Sequence, residues 1–186
     1  MSTHQLRIAV LALLTAACGS EKRAAYGDSA TTAAAEAFKP VQVGDTLPTL
    51  AAVTLAGDSI TLGGAKGPLT LVNVWATWCT SCREEMADLE AIHRDFTPRG
   101  LRVVAVSVDE GDGTRVRRFI EHEKLTFAVT RDEGNRLQDT YRVVGVPESY
   151  LLGTDGRLLW HRTGGIHGNP QEARTAVEKA LAPTSE

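Results

Sequence analysis

The strongest constraint on the fold is a junction. A continuous apolar run from Leu69 to Trp75 leads into Cys79-Thr80-Ser81-Cys82, and the second cysteine begins a helical repeat of Cys82, Glu85, Met86, Leu89, Ile92, His93 and Phe96. That spacing predicts an amphipathic helix from about Thr80 to Phe96. A second apolar run, Leu101 to Val108, follows it. Short runs that are apolar throughout read as strands covered on both faces. Strand, helix, strand is therefore a βαβ unit, whose parallel strands cross over right-handed, with the cysteine pair where the first strand hands over to the helix.

The rest of the chain fits the same architecture. Gly113 to Glu123 places Val116, Phe119 and Ile120 on one helical face, and a short helix is expected near Asn135 to Tyr141. Ser149 to Leu152 and Arg157 to Arg162 flank Gly153-Thr154-Asp155-Gly156, where Asp-Gly signals the turn of an antiparallel hairpin. A last helix starts at Asn169-Pro170, with Asn as cap and Pro in the first turn, and carries Ala173, Val177 and Leu181. The prediction is an α/β three-layer sandwich, with a mixed central sheet and helices on both faces.

A chain of 186 residues suits one domain with an extension, since domains most often run to about 100–150 residues. The extension is N-terminal. Arg7 precedes an apolar run from Ile8 to Leu14, then Thr15-Ala16-Ala17-Cys18. This is the plan of an export signal, and it is too short for the roughly 20 apolar residues of a membrane span. Cys18 after small residues resembles a lipoprotein lipobox, although Thr15 stands where a branched aliphatic residue is usual. Cleavage near Ala17, with Cys18 incidental, is the alternative. Residues 1–18 are thus read as a signal, 19–40, rich in Ala, Thr, Ser, Glu and Lys, as a flexible linker, and 41–186 as the folded domain. A net charge of −3 gives no basic stripe for nucleic acid.

Cys18 is isolated, so Cys79 and Cys82 form the one close pair among three cysteines. Two intervening residues at a helix start let the sulfurs bond. They also leave the first thiol near the free N–H groups of the opening turn, which together with the helix dipole favour a thiolate. Cys79 is then the nucleophile that forms a mixed disulfide with a substrate, and Cys82 resolves it. A purely structural disulfide would close too small a loop to stabilise much. A zinc site would need further ligands, and the histidines at 93, 122, 161 and 167 do not follow a usual spacing. No metal and no cofactor are expected.

The segment Val72-Asn73-Val74-Trp75-Ala76-Thr77-Trp78-Cys79-Thr80-Ser81-Cys82-Arg83-Glu84-Glu85-Met86 resembles the active-site segment of the TlpA/ResA-type thioredoxin-like proteins, the group that includes the cytochrome c maturation reductase CcmG. Looser similarity extends through Val43–Pro48, Val104–Asp109 and Gly145–Leu151. The resemblance implies a thioredoxin fold, attachment to a membrane, and disulfide reduction in an oxidising compartment. Its expected partners are disulfides of exported proteins, such as the haem-attachment cysteines of apocytochromes c, and a membrane-embedded thiol reductant as electron donor.

Spacing places Glu85 behind Cys82 on one helical face, where burial would raise its pKa and suit it to proton transfer; a surface glutamate placed for the helix dipole is the alternative. The resemblance favours the functional role. Asn73 stands where thioredoxins proper carry a buried acid, and Ala87 where the family commonly has proline. The resemblance also implies that Val146-Pro147 is a cis bond opposite the cysteines, shaping a groove in which substrate lies like an added strand. Glu148 matches the Pro-Glu of CcmG-like members, the alternative being a solvated residue at a strand start. Trp78, Thr80 and Ser81 complete the expected substrate-facing set, with Trp78 screening Cys79, while Trp75 belongs to the core.

Two other activities fit such a fold less well. A peroxidatic cysteine sits in a Pro-x-x-x-Thr-x-x-Cys frame, and counting back from Cys79 gives Ala76 and Val72 instead. A copper-delivery module separates its cysteines by three residues and adds a distant histidine, for which His161 or His167 would have to serve.

Overall fold

The structure, a computed structural model, describes residues 39–183. The expected signal, Cys18 and nearly all of the linker lie outside the described residues. A β-hairpin comes first, β1 (Leu50–Val53) with β2 (Ser59–Leu62), followed by β3 (Leu69–Trp75), α1 (Thr80–Phe96), β4 (Leu101–Ser107), α2 (Thr114–Glu123) and β5 (Ala128–Arg131). The chain ends with α3 (Arg136–Tyr141), β6 (Glu148–Leu152), β7 (Leu158–Thr163) and α4 (Pro170–Leu181). The central sheet has the order β5-β4-β3-β6-β7. β4 runs parallel to both β3 and β5, whereas β6 is antiparallel to β3 and β7, so the sheet is mixed as expected.

Alternation along the central strands divides the core. Leu69, Leu71 and Trp75 of β3, with Leu101, Val103 and Ala105 of β4, meet Met86, Leu89, Ile92 and Phe96 of α1, Val116 of α2 and Val177 of α4. Val72, Val74, Val104 and Val106 face the other way, toward Leu137 and Tyr141 of α3, Leu62 of β2, and Leu47. Helices thus cover both faces, but unequally: three lie on the first, while the second has one short helix and the β1–β2 hairpin.

That hairpin and β5 are absent from the sequence-based reading. All three strands span four residues and none is buried along its whole length, so neither a long apolar run nor a sustained alternation announces them. The Asp155-Gly156 turn does join β6 to β7. Gly156 is needed there, with φ of +81° and a backbone so close to Gly64 that an added Cβ would lie 2.6 Å from its carbonyl carbon. One local expectation fails: Asn169 occupies the N-cap of α4, but its side chain makes no capping hydrogen bond, its backbone lying at φ −144°, ψ 57°.

Candidate active site

β3 delivers the chain to the site, and a buried carboxylate fixes the turn that follows. Asp109, just past the end of β4, accepts from the Thr77 amide at 2.8 Å, the Thr77 hydroxyl at 2.5 Å and the Ser107 hydroxyl at 2.9 Å. The turn so anchored carries Cys79 to the N-cap of α1, in extended conformation, where its sulfur accepts from the Cys82 amide at 3.2 Å. The first sulfur therefore sits among the unsatisfied amides of a helix N-terminus. Cys79 and Cys82 are joined as a disulfide with a Cα–Cα distance of 5.3 Å. Cys79 retains 8 % of its surface and Cys82 none, so only Cys79 can be approached from solvent.

Opposite Cys79, the Val146–Pro147 peptide bond is cis. The Val146 carbonyl oxygen lies 3.8 Å from Cys79 Sγ, and the Ser81 hydroxyl lies 3.5 Å from the same sulfur. Thr80 and Ser81 are exposed. Trp78 is 61 % exposed and Val144 49 %, so two large apolar side chains are open to solvent on the segments that flank the sulfur. Trp75 is fully buried in the core.

Glu85 has no exposed surface. Its Oε1 accepts from Asn73 Nδ2 at 2.9 Å, and its Oε2 from the Ile166 amide at 2.8 Å. Burial raises its pKa above the ordinary carboxyl value of 4.5, and the hydrogen bonds from Ile166 and Asn73 offset this only in part. Asn73 is thus a donor to the buried acid that α1 supplies, and its Nδ2 also reaches Ser149 Oγ at 3.0 Å. Gly165 marks where the parts converge. A Cβ added there would lie 3.4 Å from Glu85 Oε2 and 3.7 Å from both Pro147 Cγ and the Ser81 carbonyl.

Glu148 is 1 % exposed, which overturns its reading as a solvated strand-start residue. Its carboxylate accepts from the Val144 amide at 2.9 Å and from His161 Nε2 at 2.6 Å. The His161 ring stacks on Tyr150, with centroids 4.9 Å apart. Burial, and then the neighbouring Glu148 charge, push the Tyr150 phenol up, so it stays protonated. His167, the other histidine considered for a metal, lies 3.2 Å from Asp88 on α1. Sequence reasoning missed Asp109, the Ile166 amide, Gly165 and the His161–Glu148 contact.

A family profile described as the AhpC/TSA family matches residues 43–161. The chain belongs to that family. Thiol-disulfide oxidoreductase ResA of Bacillus thuringiensis subsp. konkukian is 30 % identical over 119 residues, covering 64 % of this chain and 68 % of that protein. Thioredoxin-like protein YneN of Bacillus subtilis is 35 % identical over 118 residues, covering 62 % and 68 %. Among solved structures, StoA from Bacillus subtilis superposes with a TM-score of 0.62 at 21 % identity, covering 71 % of this chain and 98 % of StoA. A thioredoxin-family thiol:disulfide interchange protein from Chlorobium tepidum gives 0.65 at 21 %, covering 76 % and 99 %. The fold is thioredoxin-like, and with its Cys79–Cys82 pair this AhpC/TSA member is a thiol:disulfide oxidoreductase.

Proposed function

We propose that the protein is a tethered, extracytoplasmic reductant of disulfides in specific exported polypeptides, the paired haem-attachment cysteines of apocytochromes c being the substrate class that its resemblance suggests. The observation that carries this reading is the asymmetry of the pair: one accessible sulfur at a helix N-cap facing the Val146 carbonyl, and one fully buried, three residues before a buried carboxyl on the same helix. In the reduced protein the Cys79 thiolate attacks one sulfur of the substrate disulfide, and the other sulfur leaves as a thiolate. Cys82 then gives up its proton, for which Glu85 is the acceptor, and attacks Cys79 Sγ. The second substrate thiolate departs, two electrons have passed to the substrate, and Cys79–Cys82 is left as the disulfide seen here. In this reading Trp78, Thr80, Ser81, Val146 and Pro147 face the substrate, and a membrane-embedded thiol reductant restores the dithiol.

The direction is read by equilibrating the couple with dithiothreitol or glutathione buffers. A potential closer to about −270 mV than to about −120 mV is expected, and a value near the latter would make the protein an oxidant. The tether belongs to Cys18. A palmitate analogue fed to cells should label the wild type and not Cys18→Ala; equal labelling of both, or of neither, removes the lipid anchor from the proposal.

A further inference from the structure

The cis-proline loop is held by a pair of side chains, Glu148 and His161, whose hydrogen bonds run to each other and to the loop backbone. Glu148 directly follows Pro147, and its carboxylate turns back along its own chain to accept the Val144 amide at 2.9 Å. Two residues further on, the Val146 carbonyl oxygen lies 3.8 Å from Cys79 Sγ. The loop is fixed a second time by the Gly164 amide, which donates to the Pro147 carbonyl at 2.9 Å. Glu148 is thus joined to this loop through its backbone, at the Val144 amide.

A carboxylate with 1 % of its surface exposed holds such a position only if donors satisfy both oxygens. Oε2 has Val144, and Oε1 has His161 Nε2 at 2.6 Å. His161 is itself fixed. It lies opposite Tyr150 in the β6–β7 register, stacks on that ring at 4.9 Å with an interplanar angle of 19°, and Tyr150 packs edge-on against Tyr141 of α3. Its side chain is 17 % exposed.

We infer that His161 is a positioning residue for disulfide exchange: through Glu148 it clamps the Val144 amide and so sets the edge, ending in the Val146 carbonyl, against which an extended substrate pairs. The inference rests on the disulfide-reductase reading for its kinetic consequence only. An extended polypeptide disulfide needs the ordered loop edge, whereas a small aromatic disulfide needs only the Cys79 sulfur. Removing the donor should therefore separate the two substrates.

The test compares His161→Phe, which keeps a ring to stack on Tyr150 and loses the donor, with His161→Gln, which keeps an Nε2 donor. Amide hydrogen exchange at Val144, followed by NMR with β3 amides as the control for an intact fold, should accelerate about tenfold or more in the Phe variant and stay near wild type in the Gln variant. The KM for an extended peptide disulfide should rise about tenfold in His161→Phe and recover in His161→Gln, while kcat/KM for 5,5′-dithiobis(2-nitrobenzoate) stays unchanged in both. Unaltered Val144 exchange in the Phe variant, equal loss in both variants, or equal kinetic losses on the two disulfides would overturn the inference. If the wild type reduces no peptide disulfide, the reductase reading fails, and Val144 exchange still decides the clamp.

Discussion

Burial governs the chemistry of Glu85: ionising a carboxyl with no exposed surface costs desolvation that Ile166 and Asn73 only partly offset, so its pKa stands above 4.5. In the unfolded chain the same carboxyl titrates near its ordinary value. Over the window that opens at about pH 4.5, the folded protein therefore holds a proton that the unfolded chain has lost, and stability falls as pH rises through the folded-state pKa. Glu85→Gln has no proton to lose and lacks this slope. Urea unfolding of the oxidised proteins at pH 5 and pH 8 should show the stability of wild type relative to Glu85→Gln dropping across that range. A difference that does not change with pH would mean that Glu85 titrates in the fold as it does in the open chain.

At the scale of elements, what the sequence discloses depends on whether the signal is local. β3, α1 and β4 are legible because each carries its own pattern: β3 is buried at every position, and α1 repeats its apolar residues with Glu85 conspicuously among them. Helical spacing from Cys82 singles out Glu85, and resemblance singles out Pro147. The partners of these residues are not found, because their contacts join distant segments through groups that every residue possesses. The Ile166 amide reaches Glu85 across 81 positions, and Gly165 matters for the side chain it lacks. Asp109 meets Thr77 across 32 positions, and nothing in the residues around either announces the other. The β1–β2 hairpin is hidden for a different reason. Its strands are short and half-buried, finishing a sheet face that three helices leave uncovered, so its place is dictated by what the rest of the fold lacks. Glu148 is misjudged when its position at a strand start is read as solvent-facing, whereas β7 brings His161 over it.

For the whole molecule, redox direction and stability are one quantity measured two ways. Oxidising or reducing Cys79–Cys82 before or after unfolding closes a cycle, so a native potential below that of the same dithiol in the unfolded chain requires the oxidised fold to be the more stable one. The relation is about 1.4 kcal/mol for every 30 mV. A strong oxidant has the opposite sign, because its reduced form is the stabilised one. The disulfide closes too small a loop for chain entropy to contribute much, so the difference reports native contacts. Here reduction leaves Cys82, which has no exposed surface, as a separate thiol in the apolar cluster with Met86 and Leu89, three residues along α1 from a carboxyl whose pKa burial raises. These surroundings deny charge stabilisation to a Cys82 thiolate, and the reductant reading requires that this outweigh the stabilisation the helix N-terminus offers a Cys79 thiolate. Urea unfolding at pH 7, with and without excess dithiothreitol, should give the higher midpoint to the oxidised protein at an unchanged denaturant slope. A higher midpoint for the reduced protein would reverse the direction of electron flow proposed for it.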